Sequence, residues 1–187
     1  MTDITIRHAH INDCPMLAQI LINATQHAFR GLVPDHCLEW NPEESAANWA
    51  KNFKTDLSLN DGMYLFVAET KSNGVVGFAM LCPLKPIPAH FQFIDQGYSH
   101  ELRSLQILPA WQKKGIGKQL ISKVAEQATA EDGTCLLVKM IVDNPNMGYY
   151  EHLGAAKLSS NQFVWDGYET KEIIYGWDNI ESLTNTT

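Results

Sequence analysis

The stretch from Glu101 to Gln119 constrains this chain more than any other. It opens as an apolar strand carrying Leu102, Leu105, Ile107 and Leu108. Pro109 ends that strand, because proline donates no ladder hydrogen bond and fixes its own φ. Gly115 and Gly117 then let a backbone come close to a ligand. After them Ile116, Leu120, Ile121, Val124, Ala125 and Ala128 recur at helical spacing. A helix start of this kind presents unpaired N–H groups and the positive end of a dipole, and so suits an anion. Four lysines and no acid stand between Trp111 and Lys123, among them Lys113, Lys114 and Lys118.

The rest of the chain makes that basic cluster informative. There are 14 Lys+Arg against 21 Asp+Glu, a formal net charge of -7. Phosphate neutralisation dominates nucleic-acid affinity, so this balance argues against nucleic acid as partner. One domain over residues 1–187 is expected, large enough to bury a substantial core. No apolar run approaches ~20 residues, so no membrane span is expected. The N-terminal residues lack a basic region followed by an apolar one, and no secretory signal is read there. Cys14, Cys37, Cys82 and Cys135 are scattered, which suits reduced thiols in a cytoplasmic protein. The seven histidines are dispersed as well, and no metal site is expected.

In chain order, Ile4 and Ile6 mark a first strand. Asn12 or Asp13 is placed to cap a helix that Pro15 helps start and that ends near Gly31. Asn41-Pro42-Glu43-Glu44 has the form of a second helix start, with Ala46, Ala50, Phe53 and Leu57 on its apolar face. Strands over 63–69 and 75–81 flank an Asn73-Gly74 hairpin turn. Residues 82–99 read as an excursion with a short strand in it. Residues 134–142 form a continuous apolar strand of the type buried on both faces. A short helix over 147–153 and a closing hairpin, 155–164 with 170–177, follow. Strand 101–108, helix 116–131 and strand 134–142 make a βαβ unit with parallel strands and a right-handed crossover. The flanking hairpins are antiparallel, so the predicted class is α+β with helices on both faces, not doubly wound.

Three phosphate-binding patterns compete for the glycine loop. A dinucleotide fingerprint needs a third glycine where Leu120 stands. A P-loop needs glycine at Gln112 and Ser or Thr at Gln119. The pattern Gln-x-x-Gly-x-Gly, here Gln112-Lys113-Lys114-Gly115-Ile116-Gly117, closely resembles the acyl-CoA loop of the GNAT N-acetyltransferase superfamily. Leu105-Gln106-Ile107-Leu108-Pro109 is similar to the strand that precedes that loop in the superfamily. Tyr150-Glu151-His152-Leu153-Gly154-Ala155 resembles its later Tyr-Glu-x-x-Gly-Phe segment, with Asn144 upstream. Phe29-Arg30-Gly31-Leu32-Val33-Pro34 is also similar to a first-helix loop of the superfamily. Gln106 stands where the family has an aromatic residue, and Ala155 where it has phenylalanine.

The resemblance implies a GNAT-like three-layer fold: a mixed, mostly antiparallel sheet of about seven strands around the parallel pair. It implies an N-acetyltransferase using acetyl-CoA, held by Leu105, Gln106, Ile107 and Asn144 together with Gln112, Lys113, Lys114, Gly115, Ile116, Gly117 and Lys118. An aliphatic ammonium of pKa ~10 must lose a proton before attacking a thioester. Glu101 is the expected proton acceptor, and Tyr150 the expected donor to the leaving thiolate, with Tyr149 its rival. Phe29, Arg30, His36, Trp40, His90, Phe91, Phe93 and Tyr98 are candidates to line an acceptor pocket. The expected partners are then acetyl-CoA and a small-molecule amine, with a homodimer as candidate assembly. A protein or peptide acceptor, and a non-catalytic acyl-CoA-binding module, are the alternatives. The acidic surface weakly favours a cationic amine.

Overall fold

The computed structural model describes residues 4–55, 58–59, 62–86 and 90–184. Its main sheet has seven strands in the order β1-β4-β5-β6-β7-β9-β8. These are β1 (Ile4–His8), β4 (Tyr64–Thr70), β5 (Gly74–Pro83), β6 (His100–Ile107), β7 (Leu136–Ile141), β8 (Ala156–Trp165) and β9 (Tyr168–Trp177). A small pair, β2 (Phe53–Thr55) and β3 (Ser58–Leu59), stands apart. Among the described strands only β6 and β7 run parallel; every other strand pairing is antiparallel. The predicted α+β class and the parallel βαβ unit are therefore present.

The central strands are apolar on both faces because helices cover both. On one face, Phe66, Ala68, Leu81, Leu102, Leu136 and Val138 pack with Ile116, Leu120, Val124 and Ala128 of α4 (Ile116–Ala130). On the other, Leu65, Val67, Phe78 and Met80 pack with Leu17 and Ile20 of α1 (Cys14–Phe29), and Trp49 of α2 (Pro42–Lys51) joins them. Alternation along β4 thus sends Leu65 and Val67 one way, Phe66 and Ala68 the other. A short helix α6 (Glu181–Thr184) closes over α4 with Leu183.

The helix starts differ from expectation in instructive ways. Asn41 caps α2 as predicted, its Oδ1 accepting from Glu43 N–H at 2.8 Å and Glu44 N–H at 3.1 Å. At α1 neither Asn12 nor Asp13 does so. A 3-10 turn over Ile11–Asp13 comes first, capped by His10. The Asp13 carboxylate turns back to accept from His10 N–H and, in two bonds, from Arg7. A guanidinium fork outcompetes a helix amide for a carboxylate.

Helix α2 stops at Lys51, so Phe53 belongs to β2 and not to a helical face; Leu57 lies outside the described residues. The 82–99 excursion holds a short helix, α3 (Phe91–Ile94), where a strand was expected. A last short helix, α5 (Gly148–His152), leads into the β8–β9 hairpin. No helix among the described residues is long and apolar enough to cross a membrane.

Leu120 is fully buried between α4 and the sheet. Leu120→Ala is expected to cost about 2–5 kcal/mol of stability, from lost burial and the cavity left behind. Urea unfolding checks this; a loss well under that range would mean that α4 repacks.

Candidate active site

The site begins where β6 and β7 stop pairing. Their parallel ladder covers only His100–Leu102 against Leu136–Val138. Beyond it β6 keeps its bonds to β5, and β7 keeps its bonds to β9, so the two strands diverge. A bulge sits at the branch point. Met80 pairs with Ser104 and Leu81 with Leu102, which leaves Arg103 as the extra residue. Bulges bend a strand and sharpen its twist, and this one turns β6 away from its neighbour. Close approach on the other side helps: a Cβ at Gly77 would meet the Gln106 carbonyl oxygen at 3.0 Å.

The gap between the strands is a groove of about 490 Å³. Leu105, Gln106 and Ile107 form one wall, with Ala24, Thr25, Ala28 and Phe29 of α1 and Tyr149 and Tyr150 of α5 around it. The loop after β6 closes one end. A single 3-10 turn, Pro109–Trp111, carries the chain out of the strand. The Gln112 side chain then donates back to the Ile107 carbonyl at 3.1 Å and ties the loop to the strand end. Lys113 and Gly115 both take left-handed conformations, φ 59° and φ 79°. The first helical bond runs from Gln119 N–H to the Gly115 carbonyl at 3.2 Å, so the amides of Ile116, Gly117 and Lys118 precede the ladder. Alternating backbone of this kind makes an anion-binding concavity at the positive end of α4.

The loop side chains divide. Gln112, Lys113, Gly115, Gly117 and Lys118 line the groove, as does Asn144. The Lys114 ammonium lies 4.6 Å from the centre of the Trp111 ring. Ile116 is buried in the core under α4, which leaves only its main chain for a ligand. Asn144 spends its Oδ1 on Asn146 N–H at 2.8 Å, and Asn146 joins the lining, a residue the sequence did not single out. Free amides, a left-handed cradle, flanking lysines and an open strand edge together fit an extended carrier ending in a diphosphate.

Tyr150 lies on the far wall of the groove. Its ring stands edge-on to Trp177 at 5.9 Å and 87°, and against Tyr149 at 5.5 Å and 62°. Its hydroxyl makes no hydrogen bond to the described residues. Burial pushes the phenol well above its ordinary range, with Tyr149 adding to the effect. Burial also raises Tyr149. Both phenols therefore stay protonated at neutral pH. The Tyr149 hydroxyl stands over Gly117, where a Cβ would meet it at 2.6 Å.

Glu101 opens onto a second cavity, of about 790 Å³, flanked by α1 and α2. It is 4% exposed, not a solvated strand-end acid. Its Oε2 lies 3.6 Å from Arg103 and 3.7 Å from Lys139. His90, Cys82, Asn48, Trp49 and Asn52 share the wall. Burial pushes the Cys82 thiol up to about 11, so it is protonated and a poor nucleophile at neutral pH.

The acceptor candidates scatter. Phe29 lines the first groove and packs edge-on against Trp165 at 5.4 Å, while Trp40 stands 6.4 Å from the same ring. Arg30 reaches back to Gln26, and His36 contacts the Asp166 carbonyl. Neither Arg30, His36 nor Trp40 lines either cavity. Phe93 and Tyr98 correct the expectation outright. Each is 2% exposed, packed with Leu137 and Ile174, and the Tyr98 hydroxyl donates to Asp178. Helix α3 and the turn after it fold back over the sheet and make them core. The Phe91 side chain lies outside the described part.

Comparison with known proteins agrees with this geometry. The family model for the acetyltransferase (GNAT) domain matches residues 61–154, half of the chain. An uncharacterized N-acetyltransferase of Bacillus subtilis, YuaI, is 24% identical over 181 residues, covering 96% of each chain. Among solved structures, a ribosomal-protein-alanine N-acetyltransferase from Brucella melitensis aligns with TM-score 0.67 at 22% identity, over 92% of this chain and 98% of its own. A PaiA N-acetyltransferase from Thermoplasma acidophilum, solved with coenzyme A, aligns with TM-score 0.63 at 16% identity, over 91% and 98%. At such identities the structural likeness speaks for the fold. The chain belongs to the GNAT acetyltransferase family, and so to the acyltransferases that use acetyl-CoA.

Gly117→Ala would place a methyl group against the Tyr149 hydroxyl and drive the phenol across the mouth of the loop. Calorimetry with acetyl-CoA should show affinity lowered about tenfold or more, that is about 1.4 kcal/mol. Unchanged affinity would mean that the loop does not hold the carrier.

Proposed function

We propose that the protein transfers the acetyl group of acetyl-CoA to a primary amine of a small molecule by direct attack. The observation that carries this reading is the placement of β6. Its first residues present a buried acid to one cavity, and its last residues form the wall of a groove that ends in an anion cradle. Leu105 to Ile107 offer an unpaired strand edge to an extended arm, and the amides of Gln112 to Lys118 suit its diphosphate. When bound, acetyl-CoA supplies the thioester carbonyl that is attacked.

Residue roles follow from position. The Glu101 carboxylate takes the proton that the ammonium must lose, directly or through a water. Tyr150 keeps its proton through neutral pH and has no partner among the described residues, so it can give that proton to the departing sulfur. Cys82, held as a thiol, is not disposed to carry the acyl group itself, which favours a single transfer over a covalent relay. The acceptor cavity has the size of a small-molecule pocket, walled by Asn48 and Trp49 of α2 and by Asn52 just after it. A volume of that size supports a small amine as acceptor.

A thiol-release assay with separate pools of small amines and peptides tests the reading; turnover confined to peptides would overturn it. Glu101→Gln should lower kcat about 100-fold or more. Tyr150→Phe should lower kcat more than acetyl-CoA affinity, and equal kcat in the two enzymes would remove that role. Because the Tyr150 phenol is raised, kcat should show no alkaline decline below about pH 10, the ordinary phenol value.

A further inference from the structure

Among its described residues, the cavity at Glu101 gathers more cations than acids, opposite to the chain as a whole. The charged residues on its wall are Lys85, Arg103 and Glu101, with His90 beside them. Lys139 reaches the same carboxylate, its Nζ 3.7 Å from Glu101 Oε2 and 3.0 Å from His90 Nε2. His90 Nδ1 lies 3.0 Å from the Lys85 carbonyl, so Nδ1–H donates there and Nε2 is left to accept from Lys139. Among the described residues, Glu101 thus faces two cations, Arg103 and Lys139, on a protein whose acids outnumber its Lys and Arg by 21 to 14.

Arg103 is the cation with capacity to spare. It holds the extra position of the β6 bulge, and a bulge re-aims the side chain it carries. Its side chain is 60% exposed, and at 3.6 Å from Glu101 it is an ion-pair neighbour beyond hydrogen-bond reach. Its N–H groups make no hydrogen bond to the described residues. A guanidinium fork matches a carboxylate or a similar oxyanion in two parallel bonds. Leu21, Trp49, Met63 and Met80 make much of the remaining wall apolar.

Resting on the reading of this cavity as the acceptor site, we infer that the acceptor is a primary amine that also carries an anionic group. Arg103 grips the anion, the amine beside it faces Glu101, and the apolar wall takes the rest of the molecule. Chain-wide acidity pointed towards a purely cationic amine; the wall of the cavity reverses that sign. A surplus of cations also disfavours an ammonium beside them and eases the deprotonation that attack needs. The transfer balances as before. The amine nitrogen bonds to the acetyl carbon and the carbon–sulfur bond breaks. The ammonium loses one proton through Glu101 to solvent, the nitrogen loses a second after attack, and the sulfur takes one from Tyr150, which that second proton restores by way of water.

The test compares three pools built on the same skeletons: apolar amino acids, their amides and the matching decarboxylated amines. Thiol release is measured for wild type and for Arg103→Gln, with thermal melting to confirm that the variant folds. Wild type should favour the acids over the amides by about tenfold or more in kcat/KM, the worth of one charged hydrogen-bonded pair. Arg103→Gln should bring that ratio towards one, chiefly by raising KM for the acids. A wild-type ratio of one or less overturns the inference, as does a ratio that Arg103→Gln leaves intact. Absence of turnover in every amine pool would instead strike the acceptor reading itself, and this inference would fall with it.

Discussion

Everything about this site depends on a failure of hydrogen bonding. Two parallel strands in the middle of a sheet normally pair along their whole shared length. Here the ladder of β6 and β7 ends after three residues, Leu102 facing Val138. Unpaired main-chain groups inside a protein are costly, and a separated strand edge invites another strand. The bulge at Arg103 and the close approach at Gly77 sit where the strands separate, and residues of α1 and α5 line the gap. The fold thus holds open a place for an extended ligand that completes the ladder.

Electrostatics reinforces the geometry at both ends of β6. The acidic surface leaves two places where positive charge gathers. One is the N-terminal end of α4 with Lys113 and Lys118; the other is the cavity where Arg103 and Lys139 bracket Glu101. Neither depends on net charge. Each depends on where the backbone puts a few side chains.

Much of this was legible in the sequence because it is locally encoded. The Gly115–Gly117 loop, the apolar face of α4, the Asn73-Gly74 turn and the Asn41 cap each carry their own signal within a few residues. What escaped was set by distant partners. Asp13 had the right place to cap α1, but Arg7 claimed it. Phe53 fitted the helical period of α2, yet the helix stopped at Lys51. Phe93 and Tyr98 sat in a polar, proline-rich excursion, and nothing local said that α3 would bury them. The bulge at Arg103 left no mark in composition. Lys139 did leave one: it is the lone charge in the apolar run Leu136–Ile141, and a single cation in a buried strand asks for a partner.

The bond from Gln112 to the Ile107 carbonyl makes the loop and the strand one rigid piece. From Ile107 back to Glu101 is six residues, about 20 Å of extended chain. On the proposed function the strand would therefore act as a ruler. A carrier gripped at the lysine-rich end would deliver its acyl group beside the acid only when its arm spans most of that distance. A truncated thioester, however reactive, would fall short along the scale, so on that proposal selectivity for the donor is partly a matter of length.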